Sequence, residues 1–424
     1  MALIVLTRSL PLDSPIYDIL LTLCLFNTLC GDDDLTGDWD WKHILKRFRN
    51  TLLCLKGILL DNTEITAAIL KIHLMMGGMD ESAASAILAP NDKQDVVLMV
   101  QLLNSLAQLP PAAASDDPST QASRRILRLL GHLYLHLLET YMDPTLSLHG
   151  QLAHLSAAAH LILALYSHNK GNFIPIQLFF DVMSMIKNVY FCVAKTQVDN
   201  PDGQFWIILL GTDGLEKTFG TVCTMIGNDS HADQLQLTNR IDGAVQCVKI
   251  LELHPDWGGR SCRITVKSLE QQGNNISQKM DHINPKSWIG DVFVKNVVLR
   301  SSWQEGRRIA EEQLKEANIG NPFHAMDIGD GYDMLCPFWG NRVVLINGNI
   351  AAGEEEETPE ERDEVNMSNN DVLRSGSSEM DEGGPDLDDL AGNKEAEENE
   401  NGTGRKFDAW LSVDRKPQHK ATIC

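Results

Sequence analysis

Residues 151–166 read QLAHLSAAAHLILALY, and this stretch decides the fold. Its apolar residues recur every three to four positions, which is the spacing of a helix with a buried face. The segment is shorter than the roughly 18 uncharged residues that a helix needs to cross a bilayer, and it contains His154 and His160. The sequence therefore predicts a buried core helix and no insertion into a membrane.

The same spacing continues on both sides of this segment. Prolines and glycines at Pro110-Pro111, Asp143-Pro144 and Lys170-Gly171 separate the apolar runs from one another, as expected for breaks between helices. The four predicted helices are Val96–Leu109, Arg124–Tyr141, Gln151–Tyr166 and Ile176–Cys192. Residues 52–200 are therefore predicted to form an all-helical insertion.

Outside this block the pattern is mixed. Short apolar runs predict strands at Ala2–Thr7, Leu35–Asp40, Cys262–Val266 and Val292–Leu299. Longer runs predict helices at Ile16–Cys30, Ala232–His254 and Ser302–Asn318. In the second of these helices we expect an inward face made of Leu235, Ile241, Val245, Val248 and Leu251. Together the patterns predict an α/β fold in which helix dominates.

Acidic residues are concentrated towards the C-terminus. The chain has 36 Lys and Arg against 58 Asp and Glu, a formal charge of −22. Residues 354–400 hold 19 acidic and three basic residues and so carry −16 of that charge. A segment with so little apolar surface does not offset the entropy lost on ordering, which predicts disorder over 346–404. The segment is a solvated linker, a nucleic-acid mimic or a docking site for a basic, histone-type protein, and its charge repels DNA.

The ten residues Gly211–Gly220 read GTDGLEKTFG. Their pattern can be compared with two kinds of site, a phosphate-binding loop and a helix start that carries a carboxylate. A phosphate-binding loop needs a second glycine directly before its lysine, so that backbone N–H groups can surround the phosphate. Glu216 stands at that position and places a negative charge where the anion would lie, which excludes nucleotide binding here. Asp213 is instead suited to cap a helix whose first turn carries Glu216, with Leu215 and Phe219 pointing into the core. The pattern predicts one carboxylate held rigidly at a helix start.

Two motifs resemble a known family. Leu215–Gly220, LEKTFG, resembles the segment that carries the catalytic glutamate in P-element-type transposases. Asp40–Asn50, DWKHILKRFRN, matches the DxxHxxKxxRN pattern with which that family leaves its second catalytic aspartate and enters a helix. The wider runs Gly31–Asn50 and Asp281–Trp288 resemble transposase-derived proteins of mushroom-forming fungi. Covering residues 1–340, the resemblance implies an RNase H-like domain interrupted by the helical insertion.

The resemblance implies that Asp40 and Glu216 are catalytic residues that bind Mg²⁺. Phosphodiester cleavage with two Mg²⁺ needs several carboxylates that converge on ions about 3.5–4 Å apart. Three basic residues follow Asp40 at intervals of three, and His43, Lys46 and Arg49 either line a phosphate path or form an exposed basic face. The partner implied by the resemblance is DNA.

The family's first catalytic acid is expected on a strand that precedes the segment corresponding to Ala2–Thr7, and only Met1 stands before that segment. Asp13 follows Pro11-Leu12 in a turn-like setting and is not a substitute. With two of three ligands, the chain is expected to be a truncated remnant without activity of its own. The alternative is a non-enzymatic interaction protein that uses the helical block as a docking surface.

The predicted organisation has five parts. Residues 1–51 begin the incomplete RNase H-like domain, 52–200 are the insertion, 201–345 complete the domain and add C-terminal helices, 346–404 are the disordered acidic segment, and 405–424 are a truncated C-terminal segment. Nine cysteines lack the spacing of a zinc site or a disulfide framework, and the N-terminus has no signal-peptide pattern. We therefore expect a nuclear or cytoplasmic location rather than secretion.

One further cluster is a candidate for metal binding. His132, His136 and Glu139 share a helix face at i, i+4 and i+7. This spacing is typical of a metal chelate that takes a further ligand from another element, and equally of partly buried neighbours on an amphipathic helix.

Overall fold

A computed structural model of the chain describes residues 8–89, 96–169, 173–212, 218–220, 222–223, 233–254, 285, 288–329 and 331–338, with four short strands at 345–346, 349–350, 410–413 and 416–419. The chain divides into two compact units, Met1–Gly211 with Thr265–Ser368 and Thr212–Ile264 with Asn369–Cys424. The predicted acidic segment at 346–404 lies outside the described residues, apart from Ile346 and the strand at 349–350.

Helices make up most of the described structure. In chain order they are α1 (Tyr17–Leu20), α2 (Trp41–Leu53), α3 (Ala67–Met76), α4 (Glu81–Ile87), α5 (Val96–Ala107), α6 (Pro118–Met142), α7 (Leu148–His168), α8 (Ile176–Asp199), α9 (Gln234–Leu253), α10 (Leu299–Glu316) and α11 (Phe323–Ile328). Short 3₁₀ turns occur at Asp32–Asp34, Ile207–Leu209 and Val294–Asn296. Helix α9 belongs to the second unit and the other helices to the first.

The strands form antiparallel pairs. They are β1 (Arg8–Ser9) with β2 (Leu29–Cys30), β3 (Ile58–Leu60) with β4 (Thr63–Ile65), β5 (Leu345–Ile346) with β6 (Asn349–Ile350), and β7 (Trp410–Val413) with β8 (Lys416–His419). Each sheet formed by the described strands has two strands. The predicted dominance of helix is confirmed, while the described residues do not show the larger sheet of an RNase H-like fold.

Side-chain caps explain where several of these helices begin. Asp117 precedes α6 and accepts hydrogen bonds from the backbone N–H groups of Ser119 and Thr120, with Pro118 as the first helical residue. This arrangement satisfies N–H groups that have no partner inside the helix, and proline at that position loses nothing. Ser147 caps α7 by accepting from the N–H of Gly150. The cap explains why α6 starts six residues before the predicted Arg124.

Helix α7 lies at the centre of the first unit. It contacts α6, α8 and α10, and its apolar residues point in all directions around the helix axis, which is typical of a helix buried on every side. Tyr190 of α8 donates a hydrogen bond of 2.9 Å to the carbonyl of Leu152. Ser156 donates one of 2.7 Å to the carbonyl of Trp303 on α10. These bonds fix α8 and α10 against α7.

The packing of α7 against α10 requires a glycine. A Cβ atom at Gly306 would lie 2.4 Å from the carbonyl oxygen of Ala153 and 2.5 Å from the backbone nitrogen of Ala157. The two helix backbones therefore touch at this point, which only a residue without a side chain permits. Beside it, the indole of Trp303 packs edge-on against Phe26, with ring centroids 5.3 Å apart.

Helices α7 and α8 are each long and apolar enough, by length and composition alone, to cross a membrane. Their most apolar windows are 83% and 72% buried inside the protein, as is usual for core helices, so these two helices are weak evidence for a membrane protein. The predicted buried helix over 152–166 is confirmed, as are the helices predicted at 96–109, 124–141, 176–192, 232–254 and 302–318.

The prediction of a helix over Ile16–Cys30 is wrong beyond α1. Leu25 has a left-handed backbone with φ of 62°, and the side chain of Asn27 accepts a hydrogen bond from the N–H of Leu29. Asn competes with helix through such local bonds, so the chain turns here and enters β2.

Two strand predictions are also wrong. Residues 35–40 form no strand, although Leu35 and Asp40 have extended backbones, and Thr36 donates a hydrogen bond of 2.6 Å to Asn188 of α8. The second is the strand predicted at Val292–Leu299. Just before it, the carboxylate of Asp291 accepts a hydrogen bond from the N–H of Phe293. This Asx-type turn leads into the 3₁₀ turn Val294–Asn296 rather than into a strand. The strands predicted at 2–7 and 262–266 lie outside the described residues.

The inward face predicted for α9 is wrong where its side chains are described. Leu235, Ile241 and Val245 are 71%, 46% and 45% exposed. The periodicity of the sequence predicted the helix correctly. It did not predict which face of the helix is buried, because burial depends on tertiary packing. The side chains of Val248 and Leu251 lie outside the described residues.

We expect Gly306→Ala to lower the free energy of unfolding by about 1–3 kcal/mol, because the added methyl group forces α7 and α10 apart. The matched control is Gly150→Ala on α7, where the new Cβ would meet its nearest atoms at 3.5 and 3.6 Å. There, alanine's better helix propensity should leave stability unchanged or raise it by up to about 1 kcal/mol. Chemical denaturation measures both, and equal stability of the two variants would refute the tight contact.

Candidate functional site

Asp40 stands at the first turn of α2 and caps it. Its Oδ1 accepts hydrogen bonds from the backbone N–H groups of Lys42, at 2.7 Å, and His43, at 3.3 Å. A carboxylate at this place also interacts favourably with the positive end of the helix dipole. The residue is buried, and the His43 Nδ1 lies 3.5 Å from the same oxygen.

Burial acts to raise the pKa of Asp40, but its neighbours outweigh burial. The His43 imidazole, by hydrogen bond and charge, and the N–H groups of Lys42 and His43 lower the pKa of Asp40 to about 2. The carboxylate is therefore ionised at neutral pH, which is the state in which a carboxylate binds a cation.

Asp38 approaches the same residue, Gly211, as Asp40 does, and the charge of Asp40 acts on the Asp38 carboxyl. Its Oδ2 accepts a hydrogen bond of 2.8 Å from the N–H of Gly211, and its Oδ1 one of 3.0 Å from the N–H of Trp39. Burial raises the pKa of Asp38, the three hydrogen bonds from Gly211, Trp39 and Asn188 oppose this, and the charge of Asp40 adds to the rise. Two carboxylates thus face the chain at Gly211.

Gly211 is required at this contact. Its φ is +109°, and a Cβ there would lie 3.1 Å from Oδ2 of Asp40. A side chain would be strained by the backbone conformation and would crowd the carboxylate. The turn is anchored by the preceding 3₁₀ turn Ile207–Leu209, whose Ile207 and Ile208 are buried and which contacts α6.

Aromatic and apolar groups enclose the two carboxylates. The ring of Trp41 stacks on that of Tyr141 from α6, with centroids 4.9 Å apart and planes 4° from parallel. Burial raises the pKa of the Tyr141 hydroxyl, and the charges of Asp38 and Asp40 raise it further. Burial, with a contribution from Asp38, also raises the pKa of Cys192 on α8 to about 11. The site therefore lies where α2, α6 and α8 meet.

Of the two predicted catalytic residues, Asp40 belongs to this site and Glu216 lies outside the described residues. The sequence prediction missed Asp38, Tyr141 and Asn188. The alternation of Asp38 and Asp40 in an extended segment was a signal for the first of these. The other two reach the site only through the packing of α6 and α8, for which no local pattern exists.

The prediction that His43, Lys46 and Arg49 share one face is wrong for Arg49. The His43 side chain is 57% exposed, whereas Arg49 is fully buried and its Nη2 donates to the carbonyls of Ile87 and Ala89 at the end of α4. At about 100° per residue, positions six apart on a helix lie about 120° apart. Arg49 therefore holds α4 against α2 and contributes neither to a phosphate path nor to an exposed basic face.

The cluster on α6 forms a partly buried polar contact. The His136 Nδ1 lies 3.1 Å from the Nδ1 of His154 on α7, and the His154 Nδ1 lies 3.3 Å from Oε2 of Glu139. The His136 Nε2 is hydrogen-bonded to Gln313 of α10. Among the described residues, no group of three His, Cys, Asp or Glu side chains is arranged to hold a metal ion. The interpretation of partly buried neighbours therefore fits this cluster better than a chelate.

Comparison of the chain with protein-family models, with curated proteins and with solved structures gives no match. A functional proposal therefore depends on the geometry around Asp40 and on the two sequence motifs.

We expect Asp40→Ala to lower the free energy of unfolding by about 1 kcal/mol, because the first turn of α2 loses its cap. Asp40→Asn should keep most of that stability, since asparagine caps helices about as well as aspartate. Thermal unfolding of the three proteins tests the cap. Equal losses in the two variants would show that the charge of Asp40, rather than its cap, stabilises the fold.

Glu139 should make stability depend on pH. Burial, and then the charge of Asp143, raise the pKa of Glu139 to about 7. Between its unfolded pKa of about 4.3 and 7, the folded state binds the extra proton, so this group's stabilising contribution is lost as pH rises through that window.

Because glutamine does not titrate, Glu139→Gln should gain stability relative to the unmodified protein as the pH is raised from 5 to 8. Denaturation at several pH values measures the difference. Substitution of the exposed Glu64 by Gln is the control. A constant difference for Glu139→Gln would mean that its pKa is not raised.

Proposed function

We propose that the chain derives from a P-element-type transposase and that Asp40 and Glu216 are two of the acids that hold a catalytic Mg²⁺ in such an enzyme. One observation carries the proposal. Gly211 packs against Asp40, and Glu216 follows only five residues later. Since an extended residue spans at most about 3.6 Å, the Cα of Glu216 is tethered within about 18 Å of the Cα of Gly211.

Asp40 and Glu216 are separated in the sequence by the whole helical block. Gly211, which packs against Asp40, lies five residues before Glu216 in the sequence. The tether therefore supports an RNase H-like origin, in which acids from distant segments converge on metal ions.

The chemistry of Asp40 suits a hard cation. Mg²⁺ binds oxygen ligands and favours carboxylates, and the lowered pKa keeps Asp40 charged at neutral pH. Bound Mg²⁺ activates the attacking water or DNA 3′-hydroxyl and stabilises charge on the phosphate. Asp40 would hold the ion while the N–H groups of Lys42 and His43 keep its carboxylate in one orientation.

We propose further that this chain does not cleave or join DNA by itself. The motifs identify two acids where the family reaction uses three. Loss of one group that stabilises the transition state typically costs on the order of 10²–10³ in rate. DNA binding by other surfaces does not require a third acid.

Metal binding and cleavage test the two parts separately. Titration of the purified full chain with Mn²⁺, followed by electron paramagnetic resonance, should show a site that Asp40→Asn and Glu216→Gln each weaken at least tenfold. Asp40→Asn retains a helix cap, so its effect on the metal is not an effect of unfolding. The control Asp13→Asn changes an exposed residue and should leave Mn²⁺ affinity unchanged.

The same proteins are incubated with supercoiled plasmid and with oligonucleotide ends in Mg²⁺ or Mn²⁺. We expect no nicking above background. Nicking by the unmodified chain that disappears in the Asp40→Asn, Glu216→Gln double variant would overturn the proposed inactivity but support the site. Mn²⁺ affinity that neither substitution changes would overturn the site itself.

A second candidate function is favoured by one surface. On α9 the residues Leu237, Ile241 and Val245 follow one another at intervals of four, and all are at least 42% exposed. An exposed apolar stripe of this kind is typical of a helix that docks against a partner. Light scattering of the full chain should then show association that Ile241→Glu reduces, and a monomer at all concentrations would count against self-docking.

A further inference from the structure

We infer that a pocket between α6 and the end of α10 binds a small phosphate-type oxyanion. Both helices belong to the first unit. The inference is independent of the proposed function, because the pocket contains neither Asp40 nor Glu216.

One face of α6 supplies most of the polar side chains of this pocket. Gln121, Arg125, Arg128 and His132 line it, at positions i, i+4, i+7 and i+11 of the helix. Side chains at this spacing lie one above the other along a helix. The opposite wall is the last turn of α10, through Gln313 and Glu316.

Positive charge is in excess among the residues that line the pocket. Arg124, Arg125 and Arg128 bring three guanidinium groups and Glu316 brings one carboxylate. Arginine stays charged at any physiological pH. Burial is the main cause of the lowered pKa of His132, so its imidazole is neutral at neutral pH. An anion with two negative charges matches this excess.

Two of the arginines have donors left for a ligand. Nη2 of Arg125 lies 3.3 Å from Oδ2 of Asp61, and Nη1 of Arg128 lies 2.9 Å from Oε1 of Glu316. Within the described part of the chain, these contacts engage one nitrogen of each guanidinium, which has five N–H donors in all. An oxyanion can therefore bind both side chains without breaking the contact to Asp61.

Arg124 has a different part. It is buried, and its three nitrogens donate to the ring and the carbonyl of His73 and to the carbonyl of Pro110. These bonds hold the guanidinium in place behind the pocket. Arg124 therefore contributes charge to the site rather than a direct contact.

Two nitrogens of the pocket's side chains lack a hydrogen-bond partner. Nε of Arg125 and Nε2 of His132 are buried, and no described residue forms a hydrogen bond with either atom. Buried polar atoms nearly always have a partner, and an exception points to a bound water or ion. The positive charge at Arg125 is thus incompletely compensated by the protein, and a nearby anion would offset it.

The size of the pocket selects a small ligand. Its volume is about 80 Å³, well below the roughly 300–1,000 Å³ of sites that enclose drug-sized molecules. Arginine binds phosphate and carboxylate through paired N–H groups. The tetrahedral oxygens of phosphate can accept from Arg125 and Arg128 on successive turns of α6, whereas a carboxylate has two oxygens in one plane. A phosphate-type group therefore fits this pocket best.

Glu316 competes with such an anion for Arg128. Its side chain is 54% exposed, so water and salt screen much of its attraction to the guanidinium. Removal of this negative charge should therefore strengthen phosphate binding. A substitution that merely damaged the fold would not have that effect.

Isothermal titration of the full chain with inorganic phosphate, at constant ionic strength, tests the inference. We expect saturable binding that Arg125→Gln and Arg128→Gln each weaken about fivefold or more, because each loses charge-assisted hydrogen bonds. Glu316→Gln should tighten binding about twofold or more, since a like charge is removed from the site. Sulfate, which has the same shape and a double charge, should compete, whereas acetate should not.

The matched control is Arg308→Gln. Arg308 lies on α10 and forms an exposed ion pair of 2.6 Å with Glu312, so this variant also loses one positive charge and one surface ion pair, but outside the pocket. Its phosphate affinity should stay the same. A loss equal to that in Arg128→Gln would show attraction to the overall charge of the protein and overturn the inference.

Three other results would also overturn it. They are no saturable phosphate binding by the unmodified chain, unchanged or weaker binding in Glu316→Gln, and full displacement of phosphate by a duplex oligonucleotide, which would assign the pocket to nucleic acid. Circular dichroism checks that each variant folds. Should both arginine variants fail to fold, Glu316→Gln decides, because tighter binding there supports the pocket.

Discussion

The need to cover α7 on every side is the constraint on which the rest of the structure depends. A helix of 21 residues with apolar residues all round is stable in water only when other helices surround it. Here α6, α8 and α10 do so. The backbone contact at Gly306 and the hydrogen bond from Tyr190 to Leu152 show how closely two of them approach. Once α7 is covered in this way, α6 and α8 have no freedom to shift.

The packing of helices around α7 also fixes the residues of the candidate site. Tyr141 is the last but one residue of α6, and Asn188 lies within α8, so both are placed by the packing of α7. They meet the short extended segment that carries Asp38 and Asp40. The same segment receives the turn at Gly211, which links the helical core to the chain that continues towards Glu216. A change in the core should therefore reach the site through α8 and Asn188.

The sequence predicted the features that depend on neighbouring residues in the chain, and it failed for features that depend on tertiary contacts. The helices at 96–107, 118–142, 148–168 and 176–199 were predictable because periodicity is a local signal. The strand predicted at 35–40 is absent from the structure, because a strand needs a partner and this segment instead bonds α8 through Thr36. Asp40 was proposed through its motif, and its role stays a prediction. Tyr141 and Asn188 were not, since they join the site only after the helices pack, and the exposed face of α9 was missed for the same reason.

The central proposal is that Asp40 and Glu216 are ligands of a divalent cation. Diffraction from crystals of the full chain grown with Mn²⁺, using its anomalous signal, tests this most directly. We expect an anomalous peak within about 2.0–2.3 Å of a carboxylate oxygen from each of Asp40 and Glu216, the usual range for divalent cations with oxygen ligands. Ordered Asp40 and Glu216 side chains on separate faces, with no peak between them, would contradict it.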